Sequence, residues 1–260
     1  MSERRIVLAQ ARAAIVVALR TPRALVFTFF FPLIFLVLFN SIFIKGGDQS
    51  VTLPTGLKLS AQAYFMAGIT AYSISLSTFT TLAVSITTQR ERGQLKRLRG
   101  TPMPTPAYLA GVAASAVTNV VLQLAIVICA GHVIFGVSWP GDWLALAVFT
   151  LAGVVCFASL GVALSHAIPN SESAPAYVNA VFLPMLMIAG VFYDEQDAPT
   201  VLRDVAEVLP LKHLVDGLSG AIVHGEGVGD HAVALLVLAL WTAVGLLLAI
   251  RGFSWEAKRD

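Results

Sequence analysis

Three small groups of side chains in this sequence could do chemistry, and none of them makes a complete catalytic set. The first is the polar stretch Gln89-Arg90-Glu91-Arg92-Gly93-Gln94-Leu95-Lys96-Arg97-Leu98-Arg99-Gly100-Thr101-Pro102, with cations at Arg90, Arg92, Lys96, Arg97 and Arg99. A short amphipathic helix of this kind, held at both ends by apolar segments, can seat in a cleft of a soluble partner and pass rigid-body motion to its neighbours. Taken singly, the same cations serve equally as markers of the cytoplasmic side of a membrane. The second group is a hydroxyl stripe: Thr70, Ser73, Ser77, Thr80, Thr81 and Thr88 fall within about 100° of one another on a helical wheel. Hydroxyls that bond their own helix make an ordinary packing face. The alternative is a weakly polar route for a substrate, with Phe27, Phe30, Phe31, Phe35 and Phe39 as its aromatic wall and Asn119, Gln123 and Asn179 turned inward. The third group is His132, His166, Cys129 and Cys156. Histidines near the ends of apolar runs read as locally satisfied rather than as a proton relay, and cysteines without CxxC or metal spacing read as small buried hydrophobes. No GxxxxGK[ST], HExxH or GxSxG motif occurs, so neither a catalytic residue, a metal ligand nor a nucleotide site is expected in this chain.

The elements that must carry these residues are set by composition. Of 260 residues 57% are apolar and 12% charged, with a mean hydropathy of +0.80, against roughly 25% charged in a soluble domain. A bilayer-spanning chain follows. Six apolar runs reach the ~20 residues that cross a ~30 Å hydrocarbon core: 24–44, 63–88, 108–135, 143–168, 174–193 and 231–250. None contains Asp, Glu, Lys or Arg, each of which would cost about 2.5–3.5 kcal/mol at a helix centre. The longest interval without such a run, Asp194 to Gly229, is shorter than the ~40 residues a self-supporting core needs, which excludes a soluble catalytic domain there. A net charge of +2 is too small to argue for nucleic acid.

Charge distribution orients the spans. All but four of the 17 lysines and arginines (Lys45, Lys58, Arg203 and Lys212) fall in the N-terminal segment, the 89–106 loop or the C-terminal end, so those parts, with both termini, are expected to be cytoplasmic. The fold class expected is therefore all-α integral membrane, with six transmembrane helices; abundant Ala and Val, and Arg in excess of Lys, point to a GC-rich bacterial genome, so a bacterial plasma (inner) membrane is the expected location. Residues 2–20, with Arg5, Arg12 and Arg20 on one arc, read as an interfacial helix; a frayed helix flanked by orienting arginines is the alternative. Within 194–229, Thr200 to Val208 and Lys212 to Val223 are helix-like runs too short to span. Val201, Leu202, Val205 and Val208, and then Leu214, Val215, Leu218 and Ile222, give each run one apolar face. An outer re-entrant hairpin is expected, and a cap lying flat on the membrane is the alternative.

The 89–106 loop resembles the cytoplasmic segment of ABC-2 type transporter permeases, in which an E-R-x-x-G-T-L-E-x-L-x-x-T-P-like stretch joins the second and third spans. Glu91, Arg92, Gly93, Leu95, Leu98, Thr101 and Pro102 keep that pattern, whereas Gln94 and Lys96 depart from it where Thr and Glu are usual. Leu183-Pro184, Ala189-Gly190-Val191-Phe192, Leu209-Pro210-Leu211 and Asp216-Gly217-Leu218 are similar to the signature of the family's last third. The resemblance implies a single ABC-2 type transmembrane domain over residues 1–260, in the family's drug-resistance branch. The seven matching loop residues would then form a coupling helix against a separate ABC ATPase, present in two copies. ATP and magnesium would bind there, with no cofactor on this chain, and a second permease copy or a homologous permease would complete the pathway. Ser73, Ser77, Thr81, Phe31, Phe35 and Asn179 are the candidate path residues. Export of a hydrophobic or amphipathic molecule, such as a drug, antibiotic or lipid, is the expected function. Export of a polysaccharide or lipid-linked glycan is the nearest alternative, followed by an ion-coupled carrier and a non-transporting scaffold.

Overall fold

The computed structural model describes residues 34, 37–38, 50–52, 58–94, 105–191 and 199–252. The expected interfacial helix, most of the first expected span with Phe31 and Phe35, and the coupling-loop residues Leu95, Leu98, Thr101 and Pro102 lie outside them.

Helices dominate. α1 (Ala61–Ser75) continues through a π-helical turn (Leu76–Thr80) into α2 (Thr81–Glu91), and α3 (Thr105–Phe135) and α4 (Trp143–Ser165) follow. Next come α5 (Ala174–Ile188), α6 (Thr200–Ala206), α7 (Pro210–Ser219) with a second π turn (Gly220–His224), and α8 (Ala232–Gly252). The departure from an all-α chain is a small antiparallel pair, β1 (Ser50–Thr52) with β2 (Lys58–Ser60), in register Val51 opposite Leu59. Val51 and Thr52 are β-branched, which favours extended backbone in a polar connection.

Four helices among the described residues are long and apolar enough to cross a membrane: Phe65–Glu91, Ser115–Ile134, Trp143–Ser165 and Ala232–Arg251. The chain is thus a multi-pass α-helical membrane protein. α5 is shorter than the run 174–193, because Gly190, at φ +69°, stops the helix just after Ile188 in the left-handed conformation that glycine adopts without strain. Its 15 residues reach only about 22 Å.

α4 is the hub. Asp142 caps it, accepting from the backbone N–H groups of Leu144 (2.8 Å) and Ala145 (2.9 Å), and so satisfies two of the free donors at the helix start. Leu146, Phe149, Val154 and Phe157 are buried where α8, α2 and α7 pack around α4. Close approach depends on glycine: a Cβ on Gly161 would lie 2.6 Å from the Phe79 carbonyl oxygen, and one on Gly153 would lie 2.8 Å from Leu214. α3 and α8 leave broad apolar faces exposed, including Val133, Ile134, Leu236 and Leu240, as suits helices surrounded by lipid or other helices.

Candidate functional site: the clamp beneath the second span

The loop that carries the family-like pattern begins on the last turn of α2. Arg90 is buried, at 3% exposure, and its guanidinium reaches across to the end of α4. Nη1 donates to the Ser165 carbonyl at 3.0 Å and Nη2 to the Ile168 carbonyl at 2.5 Å. The last carbonyls of a helix lack intrahelical partners and carry its negative pole, so a forked cation is matched to that position. Beside it, the Glu91 carboxylate accepts from the Ser171 backbone N–H at 2.6 Å. Two consecutive residues of α2 therefore grip the end of α4 and the first part of the α4–α5 connection. That connection is itself ordered by Asn170, whose side chain accepts from Ser173 N–H at 2.9 Å, and Pro175 starts α5 in its first turn.

Arg92 and Gly93 follow the clamp. Arg92 is exposed and ends α2, and Gly93 turns the chain at φ +67°. Of the matching loop residues, the structure thus brings Glu91, Arg92 and Gly93 to one corner. Arg90 was read in the sequence only as one of five cations. Its buried role carries a signal nonetheless, since Ala83 and Ile86, seven and four residues earlier, are buried on the same helix, and residues at that spacing share a face.

The hydroxyl stripe divides by depth. Thr70 donates to its own helix at Met66 (2.7 Å) and Thr88 at Val84 (2.8 Å). Ser77 donates to the Gln123 Oε1 of α3 at 2.7 Å. Ser73 Oγ is buried with no hydrogen-bond partner and faces a crevice against Val120, Gln123 and Val127 that has no room for water. Ser73 and Ser77 thus lie at the contact between α1, the π turn and α3, whereas Thr81 is exposed. Asn179 is also exposed, on α5, a helix joined to the α1–α2 rod through Phe182, whose ring stacks on Phe79 at 6.0 Å and tilts against Tyr72 at 5.9 Å.

Part of the 194–229 segment enters the bundle. α7 is buried along its length, with Leu214, Val215, Leu218 and Ile222 all inside, whereas Val201, Leu202, Val205 and Val208 on and just after α6 are exposed. At one end the Ala221 carbonyl accepts from Asp142 N–H (3.0 Å), at the head of α4. At the other, the Val208 carbonyl accepts from Trp241 Nε1 (2.8 Å), about 14 Å down α8 from Ala232. α7 therefore runs from the middle of α8 to the N-terminal ends of α4 and α8. It carries down a side chain the sequence left on the outer surface: Lys212, 6% exposed, is paired with Asp216 at 2.9 Å and Glu207 at 3.9 Å.

Comparison with known proteins places these features. The sequence profile of the ABC-2 type transporter family matches residues 7–223. The chain is similar to the putative transport permease YvfS of Bacillus subtilis (strain 168), 21% identical over 72% of this chain and 76% of that protein. It is similar to nodulation protein J of Neorhizobium galegae, 26% identical over 80% of this chain and 79% of that one. The linearmycin resistance permease protein LnrN of Bacillus subtilis (strain 168) is 24% identical over 78% of this chain and 50% of its own length.

Proposed function

Because the chain belongs to the ABC-2 type transporter family, whose members are membrane permeases of ABC transporters, we propose that it is the membrane subunit of an ATP-driven exporter for hydrophobic or amphipathic molecules. It works in this reading as a passive gate in the bacterial inner membrane, with six spans and both termini cytoplasmic. Two ATPase subunits bind ATP and magnesium and act on the loop around Arg92 to Arg99, and a second permease copy or a homologue completes the pathway.

The observation that carries this reading is the clamp. An inward push on the loop cannot be absorbed by a flexible link, because Arg90 and Glu91 tie the base of α2 to the end of α4 and the start of the α5 connection. Motion at the loop is thus delivered to three helices together. The exposed Asn179 supports the second copy, since a lone amide at membrane depth gains by facing protein or a wet route rather than lipid. Thr81 and Asn179 are then the path residues nearest that route, and Ser73 and Ser77 act one layer behind it. The linearmycin resistance role in the name of LnrN supports an exported substrate.

The test is reconstitution of the permease with its ATPase in proteoliposomes, scoring ATP hydrolysis and efflux of a hydrophobic dye together. Arg90→Ala is expected to leave hydrolysis running while efflux falls at least about tenfold. Parallel loss of both, or of neither, contradicts the assignment of the clamp to coupling.

A further inference from the structure

A cavity of about 780 Å3 lies between α4, α5 and α8, because α5 packs mainly on α2, the π turn and α6 rather than on α8. Its size falls within the ~300–1,000 Å3 of pockets that enclose an organic ligand. The described walls are hydrocarbon, from Leu160, Leu164, Val181, Met185 and Leu248, with Trp241 at the level of Val208, to whose carbonyl it donates. Leu209 and Pro210, at the turn of the outer hairpin, close one end. The other end is cationic, with Arg251 exposed and the His166 ring beside it.

Length decides what fits. From Arg251 to Trp241 along α8 is about 15 Å, half of the ~30 Å hydrocarbon core. The cavity therefore has the depth of one leaflet, an apolar wall over that depth and, among the described residues that line it, one arginine, Arg251, at the level of the head groups. We propose that it binds one acyl chain of an anionic phospholipid from the cytoplasmic leaflet, with the phosphate held by Arg251. The leaflet assignment rests on the orientation given above, with the C-terminus cytoplasmic. The site is separate from the route past Thr81 and Asn179, so its lipid is a resident ligand rather than the transported molecule. A lipid held there touches α4, α5 and the hairpin turn at once, and so supports the elements that the clamp moves.

The experiment uses the full transporter, stripped of lipid in detergent and returned to nanodiscs of equal phosphatidylglycerol and phosphatidylcholine, with retained lipid counted by native mass spectrometry. The wild type is expected to hold phosphatidylglycerol about fivefold over phosphatidylcholine, the factor one interfacial cation supplies. Arg251→Gln, at an exposed position, should abolish that preference while keeping the acyl chain, and Ala163→Trp should fill the cavity and lose both lipids. Equal retention of the two lipids by the wild type, or undiminished retention by Ala163→Trp, overturns the proposal. Nanodiscs offer both leaflets, so retention does not depend on orientation. Labelling of a C-terminal cysteine in intact cells tests the orientation separately, and an external C-terminus would overturn the leaflet assignment alone.

Discussion

Arg90 shows how one side chain can join two helices that the sequence keeps 75 residues apart. Its removal leaves the Ser165 and Ile168 carbonyls without that donor in a buried setting, and hydrogen bonds to a charged group contribute about 1.5–3 kcal/mol. Arg90→Ala is therefore expected to lower the unfolding temperature of the purified permease as well as uncouple it. Arg90→Lys, which keeps the charge but loses the fork, should recover less than half of the coupling. Asn179 makes the opposite prediction. Being exposed on its own chain, it can change to Leu with no loss of folded monomer. In the reconstituted transporter, Asn179→Leu is expected to raise the substrate KM several-fold with ATP hydrolysis intact. Unchanged transport would place Asn179 away from the route.

At the scale of elements, a tight constraint is the seat of α7 against α4. Gly217 lies against the Phe149 ring, where a Cβ would collide with it, and Gly153 faces Leu214. Gly217→Val is expected to destabilise the fold by about 1–3 kcal/mol, the usual cost of overpacking, measured as a fall in thermal unfolding temperature. The exposed Gly229, with open space around it, should tolerate the same change. Much of this level was legible in the sequence. Charge-free apolar runs announced α4 and α8, whose first residues, Trp143 and Ala232, lie at or next to the starts of the runs beginning at 143 and 231. The three- and four-residue spacing of Leu214, Val215, Leu218 and Ile222 named the face that is buried. What the sequence hid were contacts between distant segments. Hydropathy cannot tell that α5 stops at Gly190, since the run continues apolar past it. Nor can it tell that Arg90 turns inward while Arg92 stays exposed, since that depends on carbonyls at the end of another helix. The stripe containing Ser73 and Ser77 was visible as a face, but only packing reveals that α3 covers it.

For the molecule as a whole, the sorting of charge gives a topological expectation. Single cysteines placed in the N-terminal segment and in the 95–104 loop should be blocked by reagent only after the membrane is opened, and one at Gly229 should be blocked in intact cells. Labelling in the reverse sense would invert the sheltered cavity, the clamp and the proposed ATPase face together. In the function proposed above, the clamp beside the exposed Arg92 lets a separate ATPase move this chain. The most direct check is ATP hydrolysis and substrate efflux measured side by side, with the purified permease alone and with its ATPase partner, in the same liposomes. The account predicts neither activity from the permease alone and both from the complex. Hydrolysis, or uphill efflux under a proton gradient, by the permease without a partner would contradict it.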